Sequence, residues 1–284
     1  MKTQLHPGAG VVITDVDLRS LDDATFARIH ALFAEHGLLF VRGQSLSEED
    51  HLSFARRFGT INVNRFFPRH ARHPEIALVA KEPEQRANVG GGWHTDHSYD
   101  VEPALGSILV ARELPSSGGD TWFVNMADAF ERLPARVKNM LWGMRAVHSS
   151  KHVFGTRGAL IRRVLGVEQL ENPQLADAME DAVHPVVVTH PLSGREVLYV
   201  NPSFTVRFDG ASLATSLPLL LYLYAYALKP KHVAKFRWEP GSIAVWDNRA
   251  TWHYARNDYA GERRVMHRVT IDGCALEPAH VAPR

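Results

Sequence analysis

The first long apolar pattern in the chain of 284 residues is helical. Phe26, Ile29 and Phe33 recur at the three- and four-residue spacing that places side chains on one face of a helix. Ser20 is a candidate N-cap for this helix, and Gly37 is a candidate C-terminal stop. The pattern therefore predicts a first amphipathic helix between these two residues.

Three further helices are predicted. Ser47 and Asp50 have the spacing of a capping box and predict the start of a second helix. Residues 126–141 form a third helical pattern with Pro134 inside it. The apolar run in residues 212–228 is too short for a membrane span and predicts a buried helix, so no membrane partner is expected.

Short apolar runs separated by turn residues fill most of the remaining chain. Many short strands with long insertions favour a β-sandwich or barrel over a parallel α/β sheet. No repeat or linker divides the chain, which predicts a single domain over residues 1–284. The predicted strands are residues 11–13, 38–41, 76–80, 106–111, 145–148, 186–189, 197–200, 242–246 and 265–271, with a hairpin turn at 191–194.

The composition excludes several classes of protein. Lys and Arg number 32 against 31 Asp and Glu, so the net charge of +1 offers no basic surface for nucleic acid, which is not expected as a partner. The single cysteine, Cys274, cannot form an internal disulfide and argues against thiolate zinc sites. With no apolar leader segment at residues 1–7, a cytoplasmic location is expected.

Sixteen histidines raise the question of metal ligands. In an extended strand, His94 and Asp96 would point to the same face and could bind one ion. A distant histidine would complete a 2-His-1-carboxylate triad, which leaves iron positions open for a cosubstrate and O₂. His97 would point away from that face, which favours a supporting role over ligation.

A second cluster lies near the C-terminal end. His253 follows an apolar strand, and Arg264 comes eleven residues later. Period-two alternation places Arg264 and Arg268 on one strand face. Two arginines facing a barrel interior are costly to desolvate unless anions bind there, so the pair predicts two anionic ligands.

These segments resemble the taurine dioxygenase / 2,4-dichlorophenoxyacetate dioxygenase family of Fe(II)- and 2-oxoglutarate-dependent oxygenases, over almost the whole chain. The resemblance implies a double-stranded β-helix (jelly roll) with flanking α-helices, and a homo-oligomer. The matching segments are residues 93–96, 114–121, 184–187 with 190–191, 199–201, 246–253 and 258–268.

The resemblance also implies the site residues. His94, Asp96 and His253 match the iron ligands, while Thr121 and Arg264 match the positions that bind the distal carboxylate of 2-oxoglutarate. The implied reaction uses O₂ to hydroxylate a C–H bond of a small organic anion, with release of succinate and CO₂. Where that carbon bears O, S or N, the bond to the heteroatom then breaks.

The candidate substrate contacts depart from those of taurine enzymes. Arg268 matches the position that contacts the substrate anion, and Phe154 and Phe204 match pocket aromatics. Asn64 and Phe67 stand where taurine enzymes carry His and Tyr, and Gly90 stands in place of Asn; His97 is a further candidate. Residues 147–155 resemble the aryloxyalkanoate-cleaving branch, so an aryloxyalkanoate, alkyl sulfate or sulfonate is expected instead of taurine.

Two other functions fit parts of this pattern. A zinc hydrolase could use the same triad but has no use for Thr121 and Arg264. A non-catalytic barrel could bind small anions without needing the triad. Arg162 and Arg163 are predicted to be solvated surface charges.

Overall fold

The computed structural model of the chain describes residues 1–165 and 170–279. In this part the chain is mainly β with helices packed around the sheets, as predicted. The strands are β1 (Lys2–Leu5), β2 (Val11–Thr14), β3 (Leu38–Val41), β4 (Ile61–Asn62), β5 (Ala77–Lys81), β6 (Gly106–Glu113), β7 (Thr121–Asn125), β8 (Arg145–His148), β9 (Ala182–Pro185), β10 (Val187–Thr189), β11 (Glu196–Leu198), β12 (Thr205–Phe208), β13 (Val233–Phe236), β14 (Ile243–Asp247), β15 (Thr251–Ala255) and β16 (Arg264–Ile271). The helices are α1 (Asp23–His36), α2 (Glu48–Arg56), α3 (Met126–Glu131), α4 (Ala135–Leu141), α5 (Lys151–Phe154), α6 (Thr156–Leu165), α7 (Pro173–Ala178) and α8 (Leu213–Ala227).

The strands form four sheets in the described residues. The largest has eight strands in the order β1-β2-β3-β14-β6-β16-β4, with β5 also paired to β16. Two three-stranded sheets have the orders β13-β7-β15 and β12-β8-β9, and β10 and β11 form the predicted hairpin. Only β2 and β3 pair in parallel among these strands, which agrees with the prediction against a parallel α/β sheet.

Strand β3 is buried on both faces and separates two apolar cores. Leu39 and Val41 pack with helices α1 and α2, whereas Leu38 and Phe40 face the three-stranded sheet β13-β7-β15. Phe40 stacks on Phe236 of β13, with ring centroids 4.1 Å apart. Because successive side chains of a strand point to opposite faces, a strand buried on both sides needs a continuous apolar run. The sequence provides one here, and the predicted strand is confirmed.

The ends of the first two helices test the capping predictions. Gly37 ends α1 with a φ of 65°, as predicted. Ser20 is not the N-cap, since Asp22 holds that position and its carboxylate accepts a hydrogen bond from the Thr25 amide at 2.6 Å. Ser47 and its partner three residues later form the predicted capping box of α2.

The two later helical predictions need correction. The pattern over residues 126–141 is two helices, because Pro134 has no N–H to donate and stands at the N-cap of α4. Helix α8 is buried on one face only: Leu220 and Leu223 are buried, but Leu217 and Leu221 are exposed. Among the described residues, no helix combines the length and apolar character needed to cross a membrane.

Two strands that carry candidate site residues were missed by the sequence pattern. Thr121 begins β7, and His253 lies inside β15, not just past a strand. The two strands pair with each other, with His253 opposite Phe123. Their pairing brings residues more than a hundred positions apart to the same edge of the core.

Candidate metal centre and active site

His94 and His253 are joined by a β-bridge. The amide of His94 donates to the carbonyl of His253 at 3.1 Å, and the amide of His253 donates back at 2.8 Å. Their rings lie 4.0 Å apart. The expected extended strand does not continue to Asp96, since the chain turns there and His97 has a φ of 59°. Asp96 stands at the start of this turn, and its carboxylate lies beside the two histidines.

His94, Asp96 and His253 form a compact donor set. One ligand atom from each lies within 4.8 Å of the others. Asp96 Oδ1 is 3.6 Å from His94 Nε2, and Asp96 Oδ2 is 3.8 Å from His253 Nε2. These separations exceed direct hydrogen bonds and allow a single ion, bound at about 2 Å to each atom, to contact all three residues.

The hydrogen bonds and the burial of these residues suit a metal. His94 Nδ1 lies 2.7 Å from the Gly92 carbonyl and donates to it, which leaves the Nε2 lone pair for an ion. Burial lowers the pKa of His253 well below its ordinary value, so its imidazole is neutral. Burial would raise the pKa of the Asp96 carboxyl, but Arg268 and the two histidines hold it well below its ordinary value. The set thus offers a carboxylate and two imidazole nitrogens to an ion.

A chain of hydrogen bonds supports Asp96 from behind. The Ser107 hydroxyl donates to Asp96 Oδ2 at 3.3 Å, and the Asn248 amide donates to the Ser107 hydroxyl at 3.2 Å. Trp246 Nε1 in turn donates to the Asn248 amide oxygen at 2.8 Å. All three supporting side chains are buried. Each group donates to the next, so the chain is directional and ends on the carboxylate.

Arg264 and Thr121 line a small cavity of about 40 Å³ that the triad histidines also line. Arg264 is only 4% exposed, and within the described residues no carboxylate oxygen lies within 4.0 Å of its guanidinium. Burial lowers the pKa of Arg264, and its Nε has no hydrogen-bond partner in residues 1–165 and 170–279. The Thr121 hydroxyl is 3.5 Å from Arg264 Nη2 and accepts from Trp238 Nε1 at 2.9 Å, which leaves its own proton free to donate. These groups suit a carboxylate ligand.

Arg268 lines the same small cavity but has a partner within the protein. Its Nη1 lies 3.1 and 3.2 Å from the two oxygens of Asp96, and its guanidinium carbon lies 4.4 Å from the centre of the Phe67 ring. The two arginines therefore face one cavity, as the strand alternation predicted. The two charges differ in environment. Asp96 compensates the charge of Arg268, whereas Arg264 has no carboxylate partner among the described residues.

A larger cavity of about 530 Å³ adjoins the first and shares the ring of His94 with it. Phe67, Phe154 and Phe204 form much of its apolar wall. The Phe204 ring lies 6.1 Å from the ring of His94, edge to face. Asp96 also lines this cavity, so its inner end is the metal centre.

Two candidate substrate contacts lie outside the walls of both cavities. His97 Nδ1 is 2.8 Å from Asp100 Oδ2, and its ring stacks on Tyr99 at 5.6 Å. Asn64 Oδ1 accepts from the backbone amides of residues 66 and 67 at 2.9 and 3.1 Å, and its amide lies 3.4 Å from His97 Nε2. Both side chains thus hold the loop that carries Phe67 and do not face the cavity.

Several residues of the site are not predicted by the sequence. Ser107 lies in a strand that is predicted to be apolar. It is the one polar residue of that predicted strand, and this is the only local sign of its role. Trp238 and Asn248 act through partners distant in sequence, which no local pattern reveals. Arg162 was expected at the surface, yet its side chain lines the larger cavity and its Nε is buried.

Comparison with known proteins places the chain among related enzymes. An Alpha-ketoglutarate-dependent sulfate ester dioxygenase from Pseudomonas putida is 32% identical over 96% of this chain and 90% of its own length. An Alpha-ketoglutarate-dependent 2,4-dichlorophenoxyacetate dioxygenase from Cupriavidus pinatubonensis is 32% identical over 96% and 98%. A crystal structure of a taurine dioxygenase from Burkholderia xenovorans superposes with a TM-score of 0.80 at 31% identity, over 98% of this chain and 92% of that one.

Residues 2–270 also match the family described as Taurine catabolism dioxygenase TauD, TfdA family. The matched range includes the three triad residues and the two arginines. Together with the full-length relatives, it shows that this chain belongs to the TauD/TfdA family of dioxygenases.

Proposed function

We propose that this protein is an Fe(II)- and 2-oxoglutarate-dependent dioxygenase that hydroxylates a C–H bond of a small organic anion and releases succinate and CO₂. Where the hydroxylated carbon bears O, S or N, the bond to the heteroatom breaks afterwards. The observation that carries the proposal is the buried triad of His94, Asp96 and His253 beside the guanidinium of Arg264, which has no carboxylate partner in the described part of the chain. The cofactors of the family are Fe(II), 2-oxoglutarate and O₂.

Each part of the site has a separate task in this proposal. His94, Asp96 and His253 would hold the iron, which together with 2-oxoglutarate supplies the oxidising chemistry when bound. Arg264 and Thr121 bind and orient the distal carboxylate of the cosubstrate. Burial of these groups excludes water and strengthens their interaction with an anion.

The substrate is proposed to be a sulfate ester, a sulfonate or an aryloxyalkanoate. Relatives named for a sulfate ester and for 2,4-dichlorophenoxyacetate support this range. The apolar wall of Phe67, Phe154 and Phe204 suits an alkyl or aryl body. Arg268 lies next to the metal centre, where it can contact the anion of the substrate while it stabilises Asp96. His97 contributes only through the loop that it supports.

The two rival functions explain fewer of these features. A zinc hydrolase has no need of the buried Arg264 and Thr121, and a barrel that only binds anions has no need of the triad. The relatives, which are named as dioxygenases dependent on alpha-ketoglutarate, favour the oxygenase over both.

Succinate release tests the proposal directly. The protein is incubated with Fe(II), ascorbate and 2-oxoglutarate, in air and without O₂, with hexyl sulfate, hexanesulfonate or phenoxyacetate. At least one anion is expected to stimulate succinate formation in air only, and His94→Ala should abolish it. His36→Ala, which alters a histidine on α1, is the matched control. Activity with Zn(II) alone, or no stimulation by any of the three anions, would contradict the proposal.

Further features of the protein remain proposals. The mainly antiparallel sheets that face each other across Phe40 and Phe236 support a double-stranded β-helix, or jelly roll, in a single domain over residues 1–284. We propose a homo-oligomer without nucleic-acid or membrane partners, for which light scattering on the purified protein is the test. The free Cys274 supports a reducing, cytoplasmic location.

A further inference from the structure

The two residues that are proposed to bind the distal carboxylate of 2-oxoglutarate each begin a strand directly after a loop. Thr121 begins β7 after the loop of residues 114–120, and Arg264 begins β16 after the loop of residues 256–263. The Thr121 hydroxyl lies 3.5 Å from Arg264 Nη2. The relative position of the two loops therefore affects how these groups face a shared ligand.

Two carboxylates of the second loop bond to the first loop. Asp258 Oδ1 accepts from the Gly119 amide at 2.8 Å, while Glu262 accepts from the amide and the hydroxyl of Ser116 at 2.6 and 3.0 Å. Gly119 lies two positions before Thr121, whereas Ser116 lies five positions before it and is exposed. Of these two links, the bond of Asp258 is therefore the one close to the cosubstrate residues.

Gly119 also packs against the side chain of Arg264. It is buried and has a φ of 70°, in the left-handed region that favours glycine. A Cβ atom at this position would lie 3.3 Å from Cδ and 3.4 Å from Nε of Arg264, closer than the usual carbon contact of about 3.5–4.0 Å. A side chain at this position would therefore press on the stem that carries the guanidinium.

The Asp258 carboxylate is held as an anion by its partners. Burial would raise its pKa, but the hydrogen bond from the Gly119 amide and the guanidinium of Arg256 hold the pKa below its ordinary value. Arg256 Nε donates to Asp258 Oδ2 at 3.2 Å, which leaves Oδ1 for the amide. The bond to Gly119 is thus charge-assisted, and such bonds are stronger than those between neutral groups.

We propose that Gly119 and Asp258 are positioning residues for 2-oxoglutarate. Gly119 leaves room for the side chain of Arg264, and Asp258 fixes the loop that carries Gly119, so that the guanidinium and the Thr121 hydroxyl face one carboxylate. Neither residue lines the small cavity, so both act through Arg264. The inference rests on the proposed function, which takes Arg264 and Thr121 as the cosubstrate site.

Binding of 2-oxoglutarate to a glycine variant tests the packing on Arg264 without turnover. The cosubstrate is titrated by calorimetry into the anaerobic protein loaded with Fe(II). Gly119→Ala should weaken binding about tenfold, as expected when a charge-assisted hydrogen bond is displaced. Gly261→Ala is the matched control: Gly261 has a φ of 75° in the second loop, but within the described residues no atom outside its own neighbours lies within 4 Å of a Cβ there. It should bind 2-oxoglutarate as the wild type does.

A second set of variants tests the link between the loops. Asp258→Ala should weaken binding of 2-oxoglutarate about fivefold, as expected for loss of one hydrogen bond. Asp258→Asn, whose amide oxygen can still accept from Gly119, should recover most of the affinity, and Glu262→Ala should retain all of it. The Asp258 side chain is 39% exposed, so these variants should fold. Metal affinity without cosubstrate should be the same in every variant, which separates positioning of Arg264 from general loss of structure.

Wild-type affinity for 2-oxoglutarate in Gly119→Ala or in Asp258→Ala would overturn the role of that residue. An equal loss in Gly261→Ala or Glu262→Ala would overturn the inference, since it would show that any change in these loops has the same effect. A wild type that does not bind 2-oxoglutarate, or an Arg264→Gln variant that binds it as tightly, would refute the proposed cosubstrate site and the inference together. Loss in Arg264→Gln with wild-type affinity in both Gly119→Ala and Asp258→Ala would refute the inference alone.

Discussion

The Ser107 hydroxyl donates a hydrogen bond to Oδ2 of Asp96 at 3.3 Å, from a side chain that is itself fully buried. Asn248 donates to this hydroxyl, which leaves the Ser107 proton directed at the carboxylate. Arg268 contacts the same carboxylate from another direction. Asp96 is therefore held in place by protein groups before any ion binds, and its remaining lone pairs are free for the metal.

Ser107→Ala is expected to weaken metal binding without unfolding the protein. The substitution removes the donor to Asp96 and leaves the Asn248 amide without its acceptor, and loss of such outer partners typically costs about 10- to 100-fold in metal affinity. Titration with Fe(II) under anaerobic conditions, or with Mn(II) followed by electron paramagnetic resonance, measures the change.

The matched control is Ser216→Ala. Ser216 is also buried, and its hydroxyl bonds to the Ser212 carbonyl and the Phe208 amide on α8 and β12, outside the metal centre. Its loss should affect stability and spare metal affinity. Equal metal affinity in Ser107→Ala and the wild type would show that the hydrogen bond to Asp96 does not position the ligand.

Arg264→Gln should raise the KM for 2-oxoglutarate by at least about tenfold, because a buried guanidinium bonded to a carboxylate is among the stronger polar contacts in proteins. Arg264→Lys should recover only part of the loss, since an ammonium cannot bond the carboxylate bidentately. Metal affinity measured without cosubstrate should not change.

Arg263→Gln provides the control for this change. Arg263 is the preceding residue but is exposed, where it pairs with Glu82 and Glu113. Exposed ion pairs of this kind contribute little to stability, and Arg263 does not line the small cavity. The KM for 2-oxoglutarate should therefore match that of the wild type. If the KM of Arg264→Gln for 2-oxoglutarate equals that of the wild type, the distal carboxylate of the cosubstrate binds elsewhere.

Local patterns in the sequence predict much of the scaffold. The apolar run Leu38–Val41 predicts β3, Gly37 predicts the end of α1, and Ser47 predicts the start of α2, because each depends on residues close in sequence. Thr121–Asn125 also contains residue types that favour strands, but its pairing with β13 and β15 is not visible in its own sequence. Strand pairing over this distance is decided by the tertiary structure and not by local preference.

The site shows the same division. The types and spacing of His94, Asp96 and His253 predict a metal triad, but the strand invoked for the first two is a bridge followed by a turn. The contact of Arg268 with Asp96 joins residues 172 positions apart. The burial of the Arg162 side chain depends on how α6 packs on α5 and α7. The residues next to Arg162 in sequence do not show this packing, so they predict only a surface charge.

Asp247→Asn is expected to destabilise the protein by about 3–5 kcal/mol, because it leaves a buried arginine without its counterion. The carboxylate is fully buried and bonds Arg249 through Nε at 2.9 Å and Nη2 at 2.6 Å, with His190 Nε2 at 3.0 Å. Urea unfolding measures the change. Asp17→Asn, which breaks an exposed pair with Arg19, should cost at most about 1 kcal/mol. A loss of similar size in both variants would mean that the buried network adds no stability of its own.

The buried imidazole of His51 should make the free energy of unfolding decrease as the pH falls from 6.5 toward 3. Burial, and then the charge of Arg112, lowers the pKa of His51 to about 3 from its ordinary 6.5. Between these values the folded state keeps the imidazole neutral while the unfolded state binds a proton, so the free energy of unfolding decreases with acidification by up to about 1.4 kcal/mol per pH unit.

His51→Gln should flatten this dependence between pH 6.5 and 4. The glutamine can still donate to the Ile108 carbonyl, which His51 Nε2 approaches at 3.2 Å. Part of the slope should persist, because burial also lowers the pKa of His267 to about 4. Urea unfolding across this pH range checks the result against His36→Gln, and the same slope in His51→Gln and the wild type would mean that His51 titrates alike in the folded and unfolded states.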